Sequence, residues 1–592
     1  MTGLARESHV LQHPRRVRPA RSAPRSRWLH VALAAMLYIL FAVLLVWPIV
    51  QIVKTGFTSG GGGFTLTYLG LVFRDPVLLR GLFNAAAVAV LVTLLALAIA
   101  LPLAVLSVRY EFPGCRIFGG VLLVPLVLPP FVGAIGMQIV LGRYGPLTQV
   151  VGGGGPLGID WIGKYRFLGV VVVEALHLYP VMLLNLQAAL ANLDPAMEQA
   201  AANLGAGRWT VFRRVTLPMI RPGLFAGCTL VLIWSFTELG TPLMFGYYTI
   251  TPVQVFEQIT EVAANPVPYA LVVVMLAASA ILYLVGKVAL GRGFDAATTK
   301  ASVAASAQQL RGWRGMLAAA VFLVVFLLAV VPHLSVILTS LSATGAWYKS
   351  ILPTRFTLEH YRQALVDPLV LPSVRRSLEY AACATGLALL TGLAAAIVIV
   401  RSTIRGRWLI DALAMLPLAV PGLVLSFGYL SISTWFKKTL GSRTPLFLDV
   451  QEFPAVMLVL AYAARRMPYV VRAAVAGLQQ TPRDLELAAA NLGASRFLVL
   501  RRITVPLILA NLIAGALLAF AFAMLEVSDS LILAQRIEYY PITRAILDLS
   551  QRLGDGLYVA SALGVWAMLL LTVTILAANA LLGKKIGAVF RI

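Results

Sequence analysis

The sequence predicts an all-α polytopic membrane protein of twelve transmembrane helices, built as two parallel six-helix repeats. Three observations predict it. Of 592 residues, 60% are hydrophobic and 12% charged, with a mean hydropathy of +0.87, whereas soluble domains average about 45–50% apolar and about 25% charged. A bilayer core of about 30 Å takes about 20 apolar residues per helix, and twelve runs meet that requirement. A long segment also occurs twice, at residues 197–218 and 485–506. The composition excludes a soluble globular enzyme, a disordered chain and a collagen-like chain.

The first six runs lie near 29–53, 82–108, 116–142, 167–190, 223–245 and 268–290. The second six lie near 314–341, 377–400, 407–436, 453–478, 507–534 and 557–583. Residues 1–28 form a basic tail with arginines from Arg6 to Arg27, followed by an apolar run too long for a signal-peptide core. That run is read as a retained first span with the N-terminus in the cytoplasm, a cleaved signal being the alternative. Alternate loops are then cytoplasmic, and they collect Arg109 and Arg116, Arg208 to Arg221, Lys287 to Arg314, Arg401 to Arg407, Arg483 to Arg502, and Lys584 to Arg591. The net charge of +24 thus sets orientation and implies no nucleic-acid partner. Lys437, Lys438 and Arg443 are exceptions on the outer side. Cys115, Cys228 and Cys383 lie in apolar stretches without CxxC or histidine pairing, and are expected to be small buried hydrophobes.

The repeated segments are MEQAAANLGAGRWTVFRRVTLP from Met197 and LELAAANLGASRFLVLRRITVP from Leu485, offset by 288. The offset pairs Glu198 with Glu486, Ala200–Ala201 with Ala488–Ala489, and Gly205 with Gly493. It also pairs Arg213–Arg214 with Arg501–Arg502, Pro218 with Pro506 and Glu238 with Glu526. Pro125 and Pro129 recur as Pro417 and Pro421 at a slightly different offset, marking a proline-interrupted span in each half. Two duplicated units follow, 29–290 and 314–592, joined by a polar, small-residue linker at 291–313. An even number of spans per unit makes the repeats parallel.

Both copies fall between the fourth and fifth spans of their unit, facing the cytoplasm. Asp194-Pro195 reads as an N-cap followed by the first helical residue. Thr481-Pro482-Arg483-Asp484 reads as a capping box. A short alanine-rich helix follows, then a glycine break at Gly205 or Gly493, then a second short helix ending at Leu-Pro or Val-Pro. Such an elbow suits insertion into a groove on another protein, with small residues permitting close approach and arginines forming the rim.

The segment resembles the Glu-Ala-Ala coupling motif of ABC-importer permeases. Ala200-Ala201 and Gly205 match it, as do Ala488-Ala489 and Gly493, and nine residues separate each glycine from Val-Thr-Leu-Pro or Ile-Thr-Val-Pro. The position before Ala-Ala is Gln199 or Leu487, with Glu198 and Glu486 one residue earlier. The resemblance implies a fused type I importer permease in a bacterial inner membrane, with both termini cytoplasmic. It implies elbows docking into a homodimer of ATPase subunits that use ATP and magnesium, and a periplasmic binding protein on the outer face. No Gly-x4-Gly-Lys-Ser/Thr loop is present, so the chain is expected to be no enzyme and to bind no cofactor or metal of its own. Fused permeases of this kind resemble the ferric-iron importers most. Thiamine, aminoethylphosphonate, polyamine and sugar-phosphate carriers are the alternatives. A twelve-span proton- or sodium-driven carrier has no reason to duplicate an ATPase-docking elbow. The six histidines make no paired catalytic motif for a membrane enzyme.

Ionisable residues within spans are candidate pathway groups. Glu238 and Glu526 lie about 24 Å beyond the loop, at 1.5 Å per residue. There they could attract a cation, set a gate, or simply end helices near outer-leaflet water. Arg465 and Arg466 fall mid-span, where a lipid-facing arginine costs about 2.5–3.5 kcal/mol or more. They are expected to face water, coordinate an anion, or pair with an acid such as Glu526 or Asp529. His177, at the position of Arg465 in the first half, is expected to be a packed core histidine. The glycine runs 59–63 and 152–155 read as flexible outer connectors.

Overall fold

The computed structural model describes residues 24–59, 62–127, 130–152, 163, 165–261, 265–290 and 308–582. The glycine runs lie only partly within that set, and Pro129 and 291–307 of the expected linker fall outside it. Among the described residues, nine helices are long and apolar enough to cross a membrane, and one bent pair makes a tenth. The two remaining expected spans are helical but fail that test for identifiable reasons. Ala455–Gln480 is long enough but carries Arg465, Arg466 and Arg472. The third run is not one helix: it breaks into Cys115–Val121, Val124–Val127 and Pro130–Val140.

The ninth run breaks in the corresponding place. Arg407–Ala419 and the helix beginning at Gly422 meet at 103°. Val420 is extended, with ψ of 128°, as the residue before a proline prefers to be, and Pro421 cannot donate to the turn before it. Proline acts differently in three other helices. At Pro48, Pro218 and Pro506 a five-residue π-helical turn, at Ala42–Val46, Phe212–Thr216 and Leu500–Thr504, ends two residues before the ring. A proline ring clashes with the carbonyl four residues back, and a wide turn gives it room, so that at Pro48 and Pro506 the helix continues past the ring. In the second half the elbow's second helix therefore does not end at its proline as expected, since Arg496–Met524 runs through Pro506 as one helical span, whereas in the first half it ends at Met219, one residue past Pro218.

The first span of each half packs against the opposite half. Pro48 lies against Gly428 so closely that a Cβ there would sit 2.6 Å from the proline Cβ. The hydroxyl of Tyr429 donates to Leu44 O at 2.8 Å, the carbonyl that Pro48 leaves without its helical donor. Trp47 packs edge-on against Trp435 and Phe436, with ring centroids 6.0 and 5.7 Å away. Reciprocally, a Cβ on Gly133 would meet Pro332 Cβ at 2.9 Å, and one on Gly136 would collide with Ser335 and the Val336 backbone. The second half also opens docked to the first. Gln308–Gln309 pairs in parallel with Tyr110–Glu111, Leu310 N donates to Glu111 O at 2.9 Å, and Phe112 packs against Phe322. Cys383 is exposed on the bundle surface, correcting its expected burial. The outer-side exception Lys437 pairs with Asp449 at 3.1 Å.

Candidate functional site

The two elbows have the same construction. Pro195–Asn203 and Arg483–Asn491 are the first helices. Gly205 and Gly493 follow at φ +83° and +85°, a backbone region glycine enters without steric cost. Ala206 N donates to Ala201 O and Ala494 N to Ala489 O, both at 3.1 Å, closing each helix with the six-to-one bond of a Schellman turn. Asp194 caps the first elbow through Ala196 N at 2.9 Å. The expected capping box at Thr481 does not form. The helix begins at Arg483 with no side-chain cap, because the Thr481 hydroxyl turns back to Gly477 O at 2.9 Å.

Sequence reasoning missed the most exposed part of the elbow. Leu204 is 90% exposed and Leu492 89%, while Trp209 and Phe497 are each 71% exposed. Each pair is related by the offset of 288, so the same apolar knob projects from both halves beside the glycine. Water penalises such leucines, yet the exposed leucine and aromatic residue recur in both halves. The signal was present as duplicated apolar letters in a polar loop. Ala200 and Ala488 are exposed, Ala201 and Ala489 half-buried, and Arg213, Arg214, Arg501 and Arg502 exposed at the rim. Pro218 is half-buried and Pro506 exposed. Glu198 and Glu486 instead turn into the chain, against Arg109 and Arg401.

The second site lies inside the bundle, where broken helices meet. The fifth span breaks between Phe236 and Gly240, and the eleventh between Met524 and Ser528. The two breaks touch: a Cβ on Gly240 would stand 3.0 Å from Val527 and from Phe131 at the start of Pro130–Val140. Glu526 is buried and pairs with both Arg465 and Arg466, and Asp529 lies 3.6 Å from Arg465. Asp529 also accepts from Ser426, and Arg466 lies over the Phe522 ring at 5.4 Å. The Arg465 guanidinium lies against Gly422, at the ninth-span break. Ser530 and Thr543 donate to Glu526 O, satisfying the carbonyl that the break frees.

The equivalent Glu238 has a different duty. It is half-buried and accepts from Gly240 N at 3.2 Å and Thr241 N at 3.4 Å, capping the short helix after its break. Neither glutamate ends a helix in open water. Glu174, unnoticed in the sequence, is buried beside this break and accepts from Ser235; its offset partner is Tyr462. His177 bonds Pro125 O through Nδ1 at 2.8 Å, pinning the third-span break.

Comparison with known proteins places these features. The family model described as "Binding-protein-dependent transport system inner membrane component" matches residues 94–296 and 388–587, once in each half. The chain belongs to this family. It is therefore an ABC-importer permease, a multi-pass protein of the inner membrane whose partners include an ATPase and a periplasmic binding protein. The putative ferric transport system permease protein FbpB 1 of Haemophilus influenzae is 27% identical over 76% of this chain and 69% of its own length. The ferric transport system permease protein FbpB of Actinobacillus pleuropneumoniae is 27% identical over 84% and 70%. The molybdenum transport system permease protein ModB of Escherichia coli K12 is 36% identical over 24% of this permease and 59% of its own length.

Proposed function

We propose that this chain forms the translocation pathway of an ATP-driven importer for ferric iron. Two copies of a separate ATPase subunit seat on the two elbows, and a periplasmic binding protein delivers iron to the opposite face. ATP and magnesium belong to the ATPase. The permease supplies no nucleotide loop and no resident metal, and both of its termini lie in the cytoplasm. The observation that carries the reading is the duplicated elbow, with one exposed leucine and one exposed aromatic residue beside a left-handed glycine in each half. Two equivalent knobs suit two identical grooves.

Iron as cargo is supported by similarity to two ferric transport permeases along most of the chain, whereas the molybdenum permease matches 24% of it. The mid-membrane site also favours a cation over an oxyanion. Both arginines are already held by Glu526, Arg465 lies 3.6 Å from Asp529 as well, and Glu238 adds a third acid against the two arginines. The helix breaks that meet there form the gate, since irregular backbone is tolerated at membrane depth only where protein or a water-filled path surrounds it.

Reconstitution with the ATPase and binding protein, followed by uptake of radiolabelled ferric iron, molybdate and thiamine, tests the cargo. Iron uptake dependent on Mg-ATP is expected, and uptake of another solute in its place overturns the assignment. Gly205→Val with Gly493→Val should abolish ATPase capture in a pull-down; undiminished capture and transport would sink the docking claim.

A further inference from the structure

Each elbow glutamate is held by an arginine that neither the repeated segment nor the family match assigns. Arg109 is the last residue of the second span, Pro76–Arg109. Its Nη2 donates to Glu198 Oε1, which also accepts from the buried Thr216 hydroxyl. Arg401 ends the eighth span, Val370–Arg401. Its Nη2 donates to Glu486 Oε1 at 3.2 Å and its Nε lies 3.1 Å from Glu486 Oε2, while Thr504 donates to the same carboxylate at 3.1 Å. One carboxylate in each half thus joins three segments: the end of a span, the first elbow helix, and the π-turn that opens the next span.

The pairing is not a by-product of local sequence. Arginine and glutamate are 89 residues apart in the first half and 85 in the second. The contact is kept although the intervening chain differs in length. All four side chains are 30% exposed or less, so solvent screens the pairs less than it screens open surface charges. In the first half the clamp continues into a further element. Tyr110–Glu111 follows Arg109 directly and pairs with Gln308–Gln309, at the entry to the second half.

We propose that Arg109 and Arg401 are positioning residues of the coupling step. Each fastens its elbow to the adjacent end of the second or eighth span, so that displacement of the elbow by the ATPase is transmitted to that span as a rigid-body movement. The inference rests on the reading that the elbows dock the ATPase.

The test uses the full permease–ATPase complex in nanodiscs, with Cys115, Cys228 and Cys383 replaced and spin labels at Glu111 and Thr403. In the unsubstituted clamp, trapping nucleotide with vanadate shifts the label-to-label distance. In Arg109→Gln with Arg401→Gln, the ATPase stays bound and hydrolyses ATP, but the shift is lost. The exchanged pairs, Arg109→Glu with Glu198→Arg and Arg401→Glu with Glu486→Arg, restore it. A full shift in the glutamine variant overturns the proposal, and so does loss of ATPase association there, which would make the pairs part of elbow folding alone. Should the glutamine variant fail to assemble as a protein, the exchanged pairs decide, and absence of a shift in them overturns it. Failure of the unsubstituted permease to capture the ATPase is a different result and sinks the docking reading itself.

Discussion

At the scale of single residues, equivalent positions have diverged. Glu238 and Glu526 sit at the same break, yet one caps backbone N–H groups and the other neutralises two arginines. The cause is visible in the tenth span, where Arg465 and Arg466 stand in place of His177 and Leu178. Removing one partner of a buried charge pair costs about 3–5 kcal/mol, because the remaining charge is left unmatched. Glu526→Ala is therefore expected to lower the melting temperature of the detergent-solubilised protein sharply, measured by the unfolding of its helices. Replacing the whole cluster is expected to be far milder, since apolar substitutes for a buried ionic group are often neutral or stabilising. The quadruple variant Arg465→His, Arg466→Leu, Glu526→Gln, Asp529→Asn, which leaves no buried charge of the cluster unmatched, should recover most of the stability lost in Glu526→Ala. If the cluster lines the pathway, the recovered variant still fails to transport; recovered uptake alongside recovered stability would reduce the cluster to packing.

At the scale of elements, the elbow was largely legible and the broken spans only in part. Glycine followed by a proline at fixed distance encodes the turn locally, and duplication of the letters shows that the turn is used twice. What the elbow presents required the fold. Leu204 and Leu492 could have been staples buried against their own helices, and only the backbone turn at the glycine turns them outward. Likewise Thr481 carried a correct capping signature, but its hydroxyl is taken by the preceding helix. The third and ninth spans read as proline-interrupted, yet whether a proline bends, breaks or merely widens a helix depends on its surroundings. Pro421 breaks one, whereas Pro506 is absorbed by a π-turn. Arg109 and Arg401 were legible as orientation charges only, since their partners lie more than eighty residues away. The exposed knob leads to a direct expectation. Central apolar anchors at interfaces are worth about 2 kcal/mol or more each, and about 1.4 kcal/mol is tenfold in affinity. Leu204→Asp with Leu492→Asp should weaken ATPase binding by about a hundredfold or more, by titration of detergent-solubilised components, while leaving the melting temperature of the permease unchanged.

At the scale of the whole molecule, the two halves hold each other by exchange of their first spans, and both crossings use glycine. Gly136 admits Ser335 and the Val336 backbone, and Gly428 admits Pro48. Hydrophobicity alone cannot drive helices together in lipid, because lipid tails are as apolar as leucine. Close backbone approach through small residues supplies the contact instead. Filling either crossing forces the helices apart, and overpacking of a close-packed site costs about 1–3 kcal/mol. The crossings, rather than the covalent connection, should then keep the halves together. A protease site inserted at 295–300, within the expected linker, and cut after purification should yield two fragments that still elute as one particle in size-exclusion chromatography. Adding Gly136→Leu and Gly428→Leu should make the cut fragments separate while the uncut double variant remains one particle. If the unsubstituted fragments fall apart on cutting, the reciprocal first spans do not hold the permease, and the connection between the repeats does.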